Sequence, residues 1–511
     1  MSESEPEPRD LKGICQYLGI SCDYSYNPRI TDIVQDSRQV TPGAMFYARL
    51  GARHDGRDYL DQAIAAGASA ILCSYSYQLS PRQRQQCLSL PVIILPEQFT
   101  IGALANWFYN YPSSSLKVIG ITGTNGKTTC THMLASLLEN LGHRCAIIGT
   151  LGWGFPGELR PSANTTPDGL EIQKELSALL QEGAEYVALE VSSIGISEQR
   201  VRCLDFSAGG FTNLSRDHLD YHHTMEAYAE AKRQFLSRVT PERVAVNIHD
   251  KYGNDFAHVL TQSLLVGYKT DKRSLSLMAS THKYCLLENV RYSRRGIELR
   301  YDTSYGKGRC QLNLLGKFNV ENFSLCLGVL LSMGFLLDDI LSLARDIPAV
   351  PGRMECFEGE HQALIIVDYA HTPAGVEQVL KSAREHIGRG NVYCVLGCGG
   401  DRDRGKRPVM AQKACIYADY VVFTQDNPRS EDPQHIIDDM LTGVAQSTDN
   451  YEIVLDRREA VLRACAMAGE GDCVVIAGKG HEDRQVFSDH TVQFSDRQLA
   501  REIIASAHDQ L

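Results

Sequence analysis

KVIGITGTNGKTT, residues 117–129, reads as a short buried strand, a glycine loop and the first turn of a helix. KVIGIT has the continuous apolar character of a strand covered on both faces. After the loop, Met133, Leu134, Leu137, Leu138 and Leu141 recur at helical spacing, and Gly142 supplies a stop. Backbone N–H groups of such a loop and the helix N-terminus face an anion, Lys127 reaches terminal phosphates, and the Thr128 hydroxyl can hold Mg²⁺. Ile121 stands where the generic G-x-x-x-x-G-K-[ST] pattern has its first glycine, so the motif rests on its strand and helix context. Gly123, Thr124, Asn125, Gly126, Lys127, Thr128 and Thr129 are the expected nucleotide-phosphate loop.

Outward from this loop, residues 116 onward alternate strand and helix patterns, the arrangement of a parallel α/β sheet. Upstream, short apolar runs at 70–73 and 92–95 indicate a smaller α/β domain, closed by the turn-rich YPSSS at 111–115. A second boundary is expected near residues 350–353, where Pro-Gly follows the helical run 337–345. The predicted domains are therefore 1–112, 113–348 and 349–511. In the last, four apolar strands at 364–367, 392–396, 420–424 and 473–477 each run into a polar or glycine-rich loop. Ligands of open α/β sheets sit outside the carboxyl ends of the strands, so those loops are the first place to look for a site.

The 511 residues fit about three domains. With 51 Lys+Arg against 62 Asp+Glu the net charge is −11, which argues against nucleic acid as a partner. Mean hydropathy is −0.22, and no apolar stretch approaches the roughly 20 residues of a membrane span. The opening MSESEPEPRD lacks the apolar core of a signal peptide, so a cytoplasmic chain without a membrane partner is expected. The 16 cysteines show no repeated Cys-x-x-Cys spacing and read as reduced, mostly buried thiols.

GITGTNGKTT, NTTPDG, ALEVSS, NLSRDHLDYH, GKFNVEN, VPGRME, VDYAHTP, LGCGGDRDRGKRP, DNPRSEDP and AGKGHED follow one another in the chain. In this order they resemble the Mur ligases of peptidoglycan synthesis, and within them the MurE branch. The likeness runs from Asp36-Ser37-Arg38 to Glu482. It implies three domains: one for the UDP substrate, a central P-loop parallel-sheet ATPase and a C-terminal Rossmann-like domain for the incoming amino acid. It implies a monomeric, ATP- and Mg²⁺-dependent acid–amino-acid ligase that adds meso-diaminopimelate to UDP-N-acetylmuramoyl-L-alanyl-D-glutamate through an acyl phosphate. The reaction asks mainly for alignment and charge neutralisation.

The resemblance also carries roles residue by residue. Lys127, Glu190, His218 and Lys232 would be catalytic, with Thr128, Glu190, His218 and a carbamylated Lys232 around the metal. Read alone, Glu190 is an ordinary strand-end acid, His218 a polar loop residue and Lys232 a solvated helical lysine. Carbamylation would turn that cation into a carboxylate able to bind Mg²⁺. Asn319, Asn322, Arg353, Asp368 and His371 would complete the ATP site. Ser37, Ala52, Arg53, His54, Asn164, Thr165, Thr166, Ser192, Glu198 and Arg200 would contact the UDP-muramyl dipeptide. Two positions depart from the family pattern: Ile194 stands in place of a His, and Glu198 where Gln is frequent. An Ile cannot hydrogen bond and a carboxylate repels an anionic ligand, which leaves open a catalytically reduced, nucleotide-binding paralogue.

Arg402, Asp426, Asn427, Pro428, Arg429, Gly478 and Glu482 match the diaminopimelate-reading set. Diaminopimelate carries a distal carboxylate beside its distal ammonium, whereas lysine has only the ammonium. A guanidinium fork binds that carboxylate bidentately and stays unpaired against lysine. The same ligase adding L-lysine or another diamino acid is the near alternative. A folate- or cyanophycin-type ligase shares the phosphate loop but is not expected to carry DNPR with GGDRDRGKRP.

Overall fold

A computed structural model describes residues 9–51, 54–76, 79–270, 282–293 and 296–508. The chain forms two compact units, each discontinuous in sequence: residues 1–122, 143–207 and 216–239, and residues 123–142, 208–215 and 240–511. No helix among the described residues is long and apolar enough to cross a membrane. The 16 cysteines form no disulfide among the described residues.

In the first unit, Ile33–Val34, Met45–Tyr47, Ala70–Ser74 and Val92–Leu95 form a four-stranded parallel sheet in chain order. Leu11–Leu18 and Ile101–Phe108 cover one face through Leu11, Ile14, Leu18, Leu104 and Trp107, all buried with Met45 and Leu72. Each of these helices starts at a side-chain cap, Asp10 and Thr100, which satisfies one of the backbone donors that a helix start leaves open. The turn-rich stretch 111–115 folds as the helical turn Pro112–Ser115. Proline is well suited to the first helical position, where no N–H is needed. Further along, Lys117–Thr122 pairs in parallel with Tyr186–Glu190, which pairs in turn with Cys145–Gly149, so that Ile121 lies opposite Glu190. These strands are buried along almost their whole length, as their unbroken apolar sequences require.

The helix Gly169–Gln181 packs on Ile101–Phe108, where a Cβ on Gly102 would stand 3.3 Å from the Gly169 Cα. This helix buries an acid: Glu175 is 6% exposed, and its Oε2 has no hydrogen-bond partner. Burial, followed by the charges of Glu171 and Asp168, pushes the Glu175 carboxyl from 4.5 up to about 8. The folded state thus holds a proton that the unfolded chain releases near pH 4.5. Stability from this group is present at low pH and lost as pH rises toward about 8. Glu175→Gln should therefore be more stable than the parent at pH 8, by on the order of 1–3 kcal/mol, and similar to it at pH 5. Thermal unfolding at the two pH values checks this; a variant equally or less stable at pH 8 contradicts it.

In the second unit, Val244–Asn247 lies between residues 209–211 and Leu264–Tyr268, all parallel. Leu264–Tyr268 then pairs with Tyr284–Ser293, and an antiparallel meander follows through Gly296–Thr303 and Gly306–Leu312. The alternation of strands and helices expected up to residue 348 does not hold here. Ile297, Leu299 and Tyr301 point inward while Glu298 and Arg300 point out, a period of two that selects an antiparallel sheet with one wet face.

The carboxyl-terminal six-stranded sheet has the order Glu355–Phe357, Leu364–Asp368, Cys473–Ala477, Val392–Leu396, Tyr420–Phe423, Tyr451–Ile453, parallel except for the first strand. Pro373–Ile387, Lys406–Tyr417 and Pro433–Leu441 cover one face, and Arg457–Met467 with Asp496–His508 covers the other. Asp368 and Leu396 both register with Ala477, so three chain segments leave the sheet at one edge. Beneath that edge the Arg457–Asp496 ion pair is fully buried, at 2.8 Å. Its guanidinium also donates to the Ala477 and Gln425 carbonyls, tying two of the strand ends together.

Candidate active site

The phosphate loop is held open by close packing. Gly126 has φ 86°, and a Cβ there would meet the Asn322 Oδ1 at 2.3 Å. Gly123 has φ 148°, and a Cβ would strike the Thr212 hydroxyl at 1.8 Å. The Lys127 ammonium curls back over the loop, donating to the Gly123 and Thr124 carbonyls at 3.0 and 2.8 Å. Residues that the sequence does not single out brace the loop from outside. Thr212 donates to the Asn125 carbonyl at 2.6 Å, Asn213 Oδ1 accepts from the Asn125 N–H, and the Thr124 N–H donates to the Asn213 carbonyl. Thr212 is marked in sequence only by proximity to a strand end, whereas Asn213 also opens the motif NLSRDHLDYH.

Asn319 and Asn322 lie in the first turns of the helix Lys317–Ser332, both buried. Asn319 donates to the Leu315 carbonyl, yet its Oδ1 is buried without a partner. Arg353 Nε and His132 Nε2 are likewise buried and unpartnered, and His132 is pushed down to about 4 by burial and by the Arg353 charge. Buried polar atoms left open in this way suit a ligand with hydrogen-bonding edges. Arg353 lies over the Tyr369 ring, 4.7 Å from its centre, and Tyr369 packs against His371 and His481. Burial lowers the pKa of both histidines and raises that of Asp368, which Arg353 opposes.

The other metal and peptide candidates belong to the first unit. Glu190 ends its strand 1% exposed, accepting from the Thr150 N–H at 2.8 Å and the Thr150 hydroxyl at 3.2 Å. Gly149 makes room for it, since a Cβ there would lie 2.2 Å from Oε1. Lys232 is 1% exposed in the helix Met225–Leu236, with Nζ 4.6 Å from the centre of the Tyr228 ring. The solvated lysine that its helical setting alone suggests is thus overturned, because the residue sits on the packed face. His218 is half-exposed and holds φ 51° at the start of the turn Leu219–His222, with Asp217 at 3.6 Å.

Thr166 is fully engaged, donating to the Glu190 carbonyl and accepting from the Ser192 N–H. Ser192 caps the helix Ser193–Ser197, and Ser37 donates to Gln62. Thr165 shares a hydrogen bond with Thr150, Asn164 is exposed, and His54 packs edge-on against Tyr59. Ala52 and Arg53 lie outside the described residues. Glu198 corrects the expectation of a repelling carboxylate: its Oε2 takes both Nε and Nη2 of Arg200, at 2.9 and 2.6 Å, while Arg200 Nη1 donates to the Thr166 carbonyl. The pair is locally neutral.

Among the described residues, no three His, Cys, Asp or Glu side chains form a metal cluster on their own. The available donors are hard oxygens with one imidazole, a set that suits Mg²⁺ when ligand oxygens complete it.

At the edge of the carboxyl-terminal sheet the remaining candidates converge. Asn427 donates to Glu482 Oε2 at 2.8 Å, and its Oδ1 accepts from Lys479 and from the Val486 N–H, each at 3.0 Å. Arg429, at φ 53°, donates from its N–H to the Val486 carbonyl and from Nη1 to the Gly400 carbonyl at 2.6 Å. A Cβ on Gly399 would contact both Arg429 and Arg402, so the two guanidinium side chains flank one glycine. Gly478 lets Asp426 approach, with an added Cβ 2.6 Å from its Oδ2, and the Pro428 carbonyl packs against Gly400. Lys479 and Arg407, which lie inside the motifs AGKGHED and LGCGGDRDRGKRP but carry no role from the resemblance, join this edge together with Gln485, which lies in no motif. Gln485 donates to the Asp426 carbonyl, and the buried Arg407 joins Glu431 to Asp439.

Three family models match in chain order: "Mur ligase family, catalytic domain" at residues 29–94, "Mur ligase middle domain" at 121–330, and "Mur ligase, glutamate ligase domain" at 352–480. A protein of Vibrio vulnificus named UDP-N-acetylmuramoyl-L-alanyl-D-glutamate--2,6-diaminopimelate ligase is 43% identical over 486 residues, covering 93% of this chain and 96% of its own. One of the same name from Ectopseudomonas mendocina is 41% identical, covering 93% and 95%. A solved structure with that name superposes with a TM-score of 0.68 at 32% identity, covering 97% of this chain and 99% of its own. With this identity across nearly the whole length, and with the three-domain α/β fold that goes with it, the chain belongs to the Mur ligase family.

Proposed function

We propose that the chain is an ATP-dependent amide ligase that joins meso-diaminopimelate to UDP-N-acetylmuramoyl-L-alanyl-D-glutamate in the cytoplasm, acting as a monomer on small-molecule substrates. The names of its relatives support this reading. The observation that carries it is the loop cluster of Arg429, Asn427 and Glu482: a guanidinium for a distal carboxylate and a carboxylate for an ammonium, pinned by one hydrogen-bond network. The paired Glu198 and Arg200 remove part of the case for an inactive paralogue.

In the proposed reaction a substrate carboxylate oxygen attacks the γ-phosphorus of ATP, and ADP leaves. The amine of the incoming amino acid then attacks the acyl carbon, expels phosphate and loses a proton. The loop 123–129 binds and aligns the nucleotide through its N–H groups and Lys127, while Asn319, Asn322, Arg353, Asp368 and His371 orient it. Ser37, Ala52, Arg53, His54, Asn164, Thr165, Thr166, Ser192, Glu198 and Arg200 hold the muramyl dipeptide. Arg402, Asp426, Asn427, Pro428, Arg429, Gly478 and Glu482 hold diaminopimelate. Thr128, Glu190, His218 and carbamylated Lys232 would hold Mg²⁺, which would supply charge neutralisation when bound.

Phosphate release with ATP, Mg²⁺ and UDP-N-acetylmuramoyl-dipeptide, measured with diaminopimelate, with L-lysine and with no amine, tests the proposal. Release that requires diaminopimelate and stops on chelating the metal is expected. Preferential use of lysine would reassign the amino acid, and no amine-dependent release would overturn the ligase reading.

A further inference from the structure

We propose that Lys479 is a positioning and specificity residue for the incoming amino acid, acting through Asn427 and Glu482; this rests on the diaminopimelate reading above. Lys479 is fully buried at the strand end that follows Ala477. Its ammonium donates to Asn427 Oδ1 and to Glu482 Oε2, each at 3.0 Å, and Asn427 Nδ2 closes the triangle to the same Glu482 oxygen at 2.8 Å.

The triangle leaves one orientation for the Asn427 amide. Oδ1 faces two donors, the Lys479 ammonium and the Val486 N–H, so it must be the oxygen, and the NH₂ is turned onto Glu482. Val486 in turn accepts from the Arg429 N–H, so the ammonium anchors the chain of bonds that sets Arg429 as well. Glu482 Oε2 is taken up by two donors, which leaves Oε1 as the oxygen for an incoming amine.

Charge gives the second half of the role. The loops at this edge carry the carboxylates of Asp426 and Glu482 and the guanidinium groups of Arg402 and Arg429, and Lys479 offsets Glu482 from inside the fold. With three cations against two carboxylates the locus has a formal charge of +1, which accepts a side chain that brings its own carboxylate. Without Lys479 the same locus carries one more net negative charge and favours the bare ammonium of lysine.

Three enzymes are compared by phosphate release: Lys479→Met, Glu482→Gln and the double variant. Lys479→Met should raise KM for diaminopimelate by about tenfold or more and lower the diaminopimelate-to-lysine ratio of kcat/KM, while KM for ATP stays within about twofold. The double variant should lose much less than the product of the single losses, because Lys479 acts through Glu482. Equal rises in KM for ATP and diaminopimelate, an unchanged substrate ratio, or additive losses would overturn the role. Should Lys479→Met fold poorly, Asn427→Asp provides the second measurement. It keeps the oxygen that Lys479 and Val486 need, removes the donor to Glu482, and should reproduce the KM rise in a folded protein. If the parent enzyme shows no diaminopimelate-dependent release, the reading of the site fails instead; if it does and the variants keep its KM and substrate ratio, only the role of Lys479 fails.

Discussion

Lys232→Ala should leave a folded enzyme whose kcat falls by about 10²–10³-fold or more, the scale on which transition-state charge stabilisation is lost when one of its groups is removed. Alanine preserves the helix Met225–Leu236, having the highest helix propensity. Lys232 is 1% exposed, and a carbamate at its tip would give that burial a function: one negative, hard-oxygen group in place of a cation that burial disfavours. Two further results are expected. Peptide mass analysis of gently handled enzyme should find Lys232 heavier by one CO₂ in part of the population. Acetate or formate should restore a measurable share of activity to Lys232→Ala and leave the parent unchanged. A fully active alanine variant without added carboxylate would remove Lys232 from the mechanism.

Arg429→Ala is the second large effect. Losing a charge-assisted, bidentate contact to a carboxylate should raise KM for diaminopimelate by about 10²-fold, the equivalent of roughly 3 kcal/mol. KM for ATP should move little, because the nucleotide loop at 123–129 is braced by Thr212, Asn213 and Asn322, none of which touches Arg429. Preference between diaminopimelate and lysine should nearly vanish, since the variant no longer leaves an unpaired guanidinium when lysine binds. Initial-rate kinetics with both amino acids and with varied ATP separate these terms. Equal losses toward ATP and diaminopimelate would mean that the bond from Arg429 to the Gly400 carbonyl and its φ of 53° matter for folding the loop rather than for reading the substrate.

Much of the carboxyl-terminal site is legible in the sequence. Four apolar runs mark the strands that end in Asp368, Leu396, Phe423 and Ala477, and their parallel register brings the loops of Asp426–Arg429 and Gly478–Glu482 to one edge. The meander from Tyr284 to Leu312 is harder to see, because its period-two alternation follows directly on a run of buried parallel strands and is masked by their pattern. Buried roles are hidden for a related reason. Lys232 looks solvated and Glu198 repulsive, since sequence reports a residue's charge but not its partner.

The sequence alone determined what depends on neighbours a few positions apart: the strand, glycine loop and helix around Lys127, the apolar strand runs and the ordered motifs. Backbone conformation and periodic burial are local properties, so they are written locally. Tertiary structure decided which charges are buried and by what they are compensated. Arg457 meets Asp496 across 39 positions, and Lys479 meets Asn427 across 52. Such pairs form only when strand register closes the distance, and desolvation then makes each partner indispensable to the other.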